Sequence, residues 1–323
     1  MVAHSDHLRR APRAVELLDQ PLVLARDRQG QAFALVDRCP HRQVPLSAGR
    51  MIDEGLQCPY HGWIFGSDGR CKKLPGLLSG ETPPAVSATR VPCVEAGGWI
   101  WVKLREQGAA VPPDAMTSAM RDAVALTWDD RWNAPAIDII ENFLDPLHTH
   151  TIHPGIVRRD KQRSTINAAL RADADGFTVD YRGQPSQSGL IYRLFESERS
   201  KERVVFRGPA SARIEYGYSN GSEVHITLHF TPESAGRTRL WGRLEVRGRR
   251  VPRALLRWLL RPMLLKVARQ DQTIVEMQYA NRLKFPPARG VSTRLDIVRP
   301  YLDAFWSGQD TPPASEDDVV MFI

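Results

Sequence analysis

Between residues 21 and 104 the chain runs in short alternating apolar segments separated by Gly and Pro turns. Examples are Pro21-Leu22-Val23-Leu24-Ala25, Ala32-Phe33-Ala34-Leu35-Val36 and Gly98-Trp99-Ile100-Trp101-Val102. Short apolar segments bounded by turn residues predict strands, so residues 1–110 read as an all-β domain that carries its candidate ligands at the loop tips. The Gly/Ala/Pro stretch from Gly108 to Asp114 reads as a linker. From about 164 to 248 the alternation returns, for instance over Glu223-Val224-His225-Ile226-Thr227-Leu228-His229-Phe230. His225 and His229 fall on one face of that strand and are read as packing or surface residues. Over 252–284 the period changes. Leu255, Leu256, Leu259, Leu260, Met263, Leu264 and Val267 recur at helical spacing, and Pro262 is expected to kink or interrupt the helix. The pattern predicts an α+β chain whose second domain covers 111–323.

Composition narrows the class without choosing a function. A chain of 323 residues with 42% hydrophobic and 25% charged positions is ordinary for a globular protein of two domains. Met1 to Arg13 is polar and lacks the apolar segment of a secretory signal, and no run approaches a membrane span of roughly 18 apolar residues. Four cysteines without an extra disulfide framework suit a reducing compartment, so a cytoplasmic protein is expected. The net charge of +7 is mostly dispersed arginine. Its densest patch (Arg247, Arg249, Arg250, Arg253 and Arg257) reads as a solvated surface, because no aromatic residues interleave it as single-strand binding requires. Neither nucleic acid nor membrane is expected as a partner.

Two short pairs carry the first chemistry: Cys39-Pro40-His41-Arg42 and Cys58-Pro59-Tyr60-His61-Gly62-Trp63, with sixteen residues between His41 and Cys58. Zinc also takes two Cys and two His, but commonly from pairs in which like ligands sit together. Here each loop offers one thiolate and one imidazole. That division suits a Rieske [2Fe–2S] cluster, in which histidines replace cysteines on one of two irons. Pro40, Pro59 and Gly62 fit tight turns that bring backbone N–H groups toward sulfur. Cys71 and Cys93 lie outside both loops and read as small apolar residues.

The second constellation runs from Glu141 to Pro154 and holds His148, His150 and His153 with Glu141 and Asp145. In a chain that already handles electrons, it suggests the 2-His-1-carboxylate site of non-haem Fe(II) oxygenases. The bland alternative is a set of helix-cap and surface histidines. Geometry leaves the pair open. On a regular helix His148 and His153 are about 140° apart and His150 and His153 about 60° apart, so the first pair needs a break, which Pro146 and Pro154 could supply.

These motifs resemble the Rieske non-haem iron oxygenases. Respiratory Rieske proteins carry an added cysteine after each ligand histidine, whereas this chain has Arg42, Gln43, Gly62 and Trp63 at those places. The second loop instead matches the oxygenase pattern C-P-Y-H-G-W. The stretch N-x2-D-x2-H-x4-H, as in dicamba and vanillate O-demethylases, is met by Asn142, Asp145, His148 and His153, with His150 left over. The family's third ligand is a late Asp on a helix, and Gln270-Asp271-Gln272 fits, although Gln270 stands where relatives often have an acid.

The resemblance implies an all-β Rieske domain and a catalytic domain whose antiparallel sheet is covered by helices in a helix-grip, START-like arrangement. It implies a [2Fe–2S] cluster on Cys39, His41, Cys58 and His61, with a potential toward the low end of the Rieske range, roughly −150 mV. It further implies Fe(II) on His148, His153 and Asp271, with Asp145 and Asn142 as catalytic groups. Within one chain the two centres are expected to be too far apart for fast transfer. Relatives form head-to-tail trimers in which the acid matched by Asp145 links the cluster of one subunit to the iron of the next. Electrons would come from NAD(P)H through a flavin-containing reductase, a ferredoxin or both, since no dinucleotide motif is present. The implied reaction is monooxygenation with O2, by hydroxylation or O- or N-demethylation, of a small aromatic or heterocyclic substrate. Ring cis-dihydroxylation and a Rieske electron carrier or sensor without oxygenase activity are the alternatives. The many arginines hint at a carboxylate-bearing substrate.

Overall fold

The computed structural model describes residues 1–104, 112, 114–157, 163–183, 197–248, 258, 260–287, 290–309 and 318–323. It separates into two units, Met1–Ser118 with Thr231–Ala235, and Ala119–Phe230 with Gly236–Ile323. The expected linker lies outside the described residues except for positions 112 and 114, as do Arg249, Arg250, Arg253 and Arg257 of the arginine patch. Arg247, the described member, pairs with Glu223 at 2.7 Å. Among the described residues no helix is long and apolar enough to cross a membrane.

The first unit is built from short strands. In chain order they are β1 (Ala3–His4), β2 (Arg13–Leu17), β3 (Gln20–Arg26), β4 (Ala32–Val36), β5 (Arg50–Ile52), β6 (Gly55–Gln57), β7 (Ile64–Phe65), β8 (Cys71–Lys73), β9 (Arg90–Val91), β10 (Cys93–Ala96) and β11 (Trp99–Val102). They form sheets of order β2-β3-β4-β9, β5-β6-β7-β8 and β1-β11-β10. Val23, Ala25, Phe33 and Leu35 from the first sheet meet Leu56 and Phe65 from the second in one apolar core, which also takes in Cys39 and Cys58. The apolar segments read from 21 to 104 are these paired strands, and β3, β4 and β11 are buried at successive positions, so both of their faces are covered.

The first unit ends with α1 (Asp114–Thr117), and the second opens with β12 (Val124–Trp132). There follow α2 (Ala136–Leu144), α3 (Thr149–Ile152), β13 (Thr165–Asp173), β14 (Gly176–Arg182), β15 (Arg199–Arg207), β16 (Ser211–Tyr218), β17 (Glu223–Ser234), β18 (Arg237–Arg247), α4 (Arg261–Arg282), α5 (Arg299–Ser307) and β19 (Val319–Phe322). One eight-stranded sheet has the order β12-β18-β17-β16-β15-β14-β13-β19. Its inward face packs against α2, α4 and α5 through Ile139, Ile140, Leu144, Val275, Tyr301 and Leu302. This is an α+β architecture of the expected kind. Each of these apolar side chains, once fully buried, contributes about 1.5–3 kcal/mol.

The helices are held in register by polar anchors as well. Asp138, with no exposed side-chain surface, accepts from Arg282 at 2.7 Å and Arg299 at 3.2 Å, which ties α2 to α4 and α5. Asn133 N–H donates to Glu276, and Gln272 donates to the Arg131 carbonyl, fixing α4 against the end of β12. Pro262 sits in the first turn of α4 rather than inside it. There its missing N–H is tolerated, and because Trp258 and Leu260 before it are already π-helical, it stands where that wider winding gives way to the regular α-helix. Leu255, Leu256 and Leu259 lie outside the described residues. On β18, Gly242 faces Trp128 of β12, and a Cβ at that position would overlap the indole.

Candidate functional site

Two loops of the first unit bring its Cys and His pairs together. The loop after β4 closes by Cys39 N–H to the Val44 carbonyl and Gln43 N–H to the Cys39 carbonyl, and the β6–β7 loop by Cys58 N–H to the Trp63 carbonyl. Gly62 takes φ +71°, which a side chain would strain, and a Cβ there would crowd Pro75. The Cys39 and Cys58 thiols are buried and interact with each other, while the His41 and His61 rings stand nearer solvent with centroids 4.6 Å apart. Trp63 stacks on His41 at 4.6 Å and 7°. Burial pushes the Cys39 thiol up and the nearby Cys58 adds to this, whereas backbone N–H groups of His41 and Arg42 directed at Cys39 sulfur act the other way. Desolvation, then His61 and Arg42, hold the His41 imidazole below its ordinary value, toward the neutral form that binds metal. Two facing thiols beside two accessible imidazoles fit a dinuclear cluster divided by ligand type.

In the second unit the candidate groups come from three helices. Asp145 ends α2 in an extended conformation (φ −84°, ψ 120°), as expected of a residue before Pro146. His148 precedes the four-residue α3 and His153 follows it, with Pro154 again forcing the chain out of helix. The two prolines thus reduce the segment to one turn with a histidine at each end. α4 supplies Asp271. Its Oδ1 lies 2.9 Å from His153 Nε2 and 3.4 Å from His148 Nε2, and the three ligand atoms all fall within 4.8 Å of one another. His153 Nε2 makes no hydrogen bond of acceptable geometry despite that short approach. Two imidazoles and a carboxylate converging in this way fit a metal held on one face. His150 is buried but lies outside the trio.

Neighbouring groups orient the trio. Gln270 Oε1 is 3.0 Å from His153 Nδ1, so the residue that departs from the family pattern still accepts the second ring proton. Asn142 Nδ2 donates to Asp271 Oδ1 at 3.2 Å. Burial lowers the His153 imidazole, but Asp271 and Gln270 outweigh it and the net shift is upward. Asp145 accepts the Leu147 N–H at 2.9 Å and lies 3.9 Å from His148 Nδ1. Burial lifts its carboxyl to about 6.

The trio opens on a cavity of about 210 Å³ between the sheet and the helices. Trp128 and Trp132 from β12, Val204 from β15, Ile226 and Leu228 from β17 and Leu244 from β18 give it an apolar wall. The cavity draws on the strands within 164–248 and on α4, and also on β12 and α2. The alternation Val124, Leu126, Trp128, Asp130, Trp132 is the signal that would have found β12. His225 and His229 are not among the lining residues, and His229 is buried against Ser211 at 2.9 Å.

Residues 1–88 match the Rieske [2Fe-2S] domain family, and residues 132–299, just over half of the chain, match the vanillate O-demethylase oxygenase C-terminal domain family. The chain belongs to the Rieske non-haem iron oxygenases. Among relatives of this Rieske oxygenase, the toluene-4-sulfonate monooxygenase system iron-sulfur subunit of Comamonas testosteroni is 30% identical over 242 residues, covering 74% of this chain and 65% of that one. Methylxanthine N1-demethylase of Pseudomonas putida is 35% identical over 156 residues, 47% of this chain and 43% of that one. The matches therefore span less than two thirds of either relative. The crystal structure of dicamba monooxygenase bound to dicamba shares the fold at a TM-score of 0.78, over 95% of this chain and 94% of that one, at 18% identity.

Proposed function

We propose that this Rieske oxygenase is the terminal component of a multicomponent system and monooxygenates a small aromatic or heterocyclic substrate, by hydroxylation or by O- or N-demethylation. The observation that carries the reading is the convergence of His148, His153 and Asp271 on one face, at the mouth of an apolar cavity. Those residues would hold Fe(II), and Cys39, His41, Cys58 and His61 would hold the [2Fe–2S] cluster. When bound, the iron supplies the site of dioxygen activation and the cluster supplies an electron to it. The remaining work falls to the side chains. Gln270 keeps the His153 proton on Nδ1, which leaves Nε2 for the metal, and Asn142 turns Asp271 toward the same point. The apolar wall seats a ring and excludes water. Electrons would arrive from NAD(P)H through a reductase or ferredoxin. As a homotrimer of the kind its relatives are expected to form, it would use Asp145, 3.9 Å from His148 Nδ1, to join the cluster of one subunit to His148 of the next.

Iron counting tests the reading. The loaded protein should hold three irons per chain, two in the cluster and one beyond it. Asp271→Ala should remove one iron, abolish substrate-dependent oxygen uptake and leave the visible spectrum of the cluster intact. Unchanged iron content in that variant would dispose of the assignment. Formaldehyde release separates demethylation from hydroxylation.

A further inference from the structure

The arginine content raised the expectation of an anionic substrate, and the described lining of the cavity points another way. Among the described residues that line the cavity there is no Lys or Arg, and the charged ones are Asp130, Asp145, Glu202 and Asp271. Asp145 and Asp271 belong to the metal site. Asp130 is engaged, accepting the Trp132 indole N–H at 3.2 Å and the Arg131 N–H at 2.8 Å. Glu202 is the acid left over.

Glu202 sits in the middle of the inward face, on β15, in register with Tyr181 of β14 on one side and Tyr216 of β16 on the other. All three line the cavity. One carboxylate oxygen takes a 2.6 Å ion pair from Arg199, whose side chain is only 3% exposed, lies over the Tyr216 ring at 4.1 Å and is not part of the lining. The pair is formally neutral, and its guanidinium stands behind its carboxylate. A carboxylate has about four lone-pair sites, so Glu202 can still accept from a ligand. Hydrogen bonds to a charged acceptor are the strong ones. An anion brought to the same wall would meet that carboxylate with no Lys or Arg among the described lining residues to offset it. A cation would give up its hydration for a carboxylate that Arg199 already faces.

From this we propose that Glu202, held by Arg199, is the recognition group of the cavity, and that the substrate is an uncharged ring compound presenting an N–H or O–H donor. The inference rests on the cavity being the substrate chamber of the proposed oxygenase. Its volume suits one substituted ring, since a cavity of about 150 Å³ already accepts benzene.

The test is calorimetric titration of the iron-loaded protein under argon with three ligands of matched size: 4-methoxybenzamide, 4-methoxybenzoate and 4-methoxybenzylammonium. The benzamide should bind at least tenfold more tightly than either ion. In Glu202→Gln, which takes the carboxylate charge away from beside Arg199, the benzoate should gain at least tenfold on the benzamide. Should that variant not fold, the double variant Arg199→Met with Glu202→Met removes both charges and should weaken benzamide at least tenfold. Equal or tighter binding of either ion by the unaltered protein, or binding of none of the three, overturns the proposal. Iron is counted on the same sample. Three irons with a benzoate preference sink the recognition role alone, and two irons with a benzamide preference sink the oxygenase reading and leave the ligand class standing.

Discussion

Gln270 shows how much one amide can decide. Its oxygen fixes which nitrogen of His153 carries the proton, and an imidazole in the other tautomer would turn a hydrogen, not a lone pair, toward Asp271. Gln270→Ala should therefore weaken iron retention about 10- to 100-fold, read by titrating the loaded protein with a chelator, with the cluster spectrum unchanged. The Cys39, His41, Cys58 and His61 pairs were legible in the sequence because each is local, and two short loops fix the relation within each pair. Gln270 was legible only as a departure from a pattern, because its meaning depends on a residue 117 positions away. Glu202 left no mark at all. Nothing local distinguishes it from Glu198 or Glu215, and its neighbours Tyr181 and Tyr216 are set by strand pairing that no short window contains.

Elements were legible where backbone chemistry punctuates the chain. Pro146 and Pro154 announce a broken helix, and the break is what lets His148 and His153 serve one point despite an unfavourable angular spacing. Pro262 announces a boundary as well, and it falls where the π-helical winding at Trp258 and Leu260 changes to the regular α4. The strands from β13 to β18 follow from their alternation, but the seat of the Trp128 indole in the cavity wall does not, because it lies against Gly242 of a strand more than a hundred residues away. Outside the cavity β14 carries a salt-bridged acid. Burial would raise the Asp180 carboxyl, but Arg203 at 2.6 Å and Arg171 outweigh it and hold it below the ordinary range. A lowered folded-state pKa stabilises the fold above the ordinary Asp value near 3.8, and this is lost as pH falls through the lowered value. The arginines are partly exposed, so about 1 kcal/mol is at stake. In urea unfolding, Asp180→Asn should cost that amount at pH 6, and the gap to the unaltered protein should close as the pH falls below 3.8.

The whole molecule joins an electron-receiving unit to one that holds a candidate metal trio and a cavity. If electrons pass between subunits, the assembled form must be the trimer. Light scattering of the loaded protein should then give about three times the 36.4 kDa chain mass, and dilution to monomer should stop oxygen uptake before iron is lost. The two units are not consecutive in sequence. The tip of the β17–β18 hairpin, Thr231–Ala235, returns to the first unit, where Pro232 and Glu233 carbonyls accept the Leu18 and Asp19 N–H groups at 2.8 and 2.7 Å. A gene truncated after codon 118 would thus encode an iron–sulfur module missing its final clasp. Such a fragment should melt earlier than the same module within the full chain, and adding a peptide spanning 231–235 should recover part of the loss.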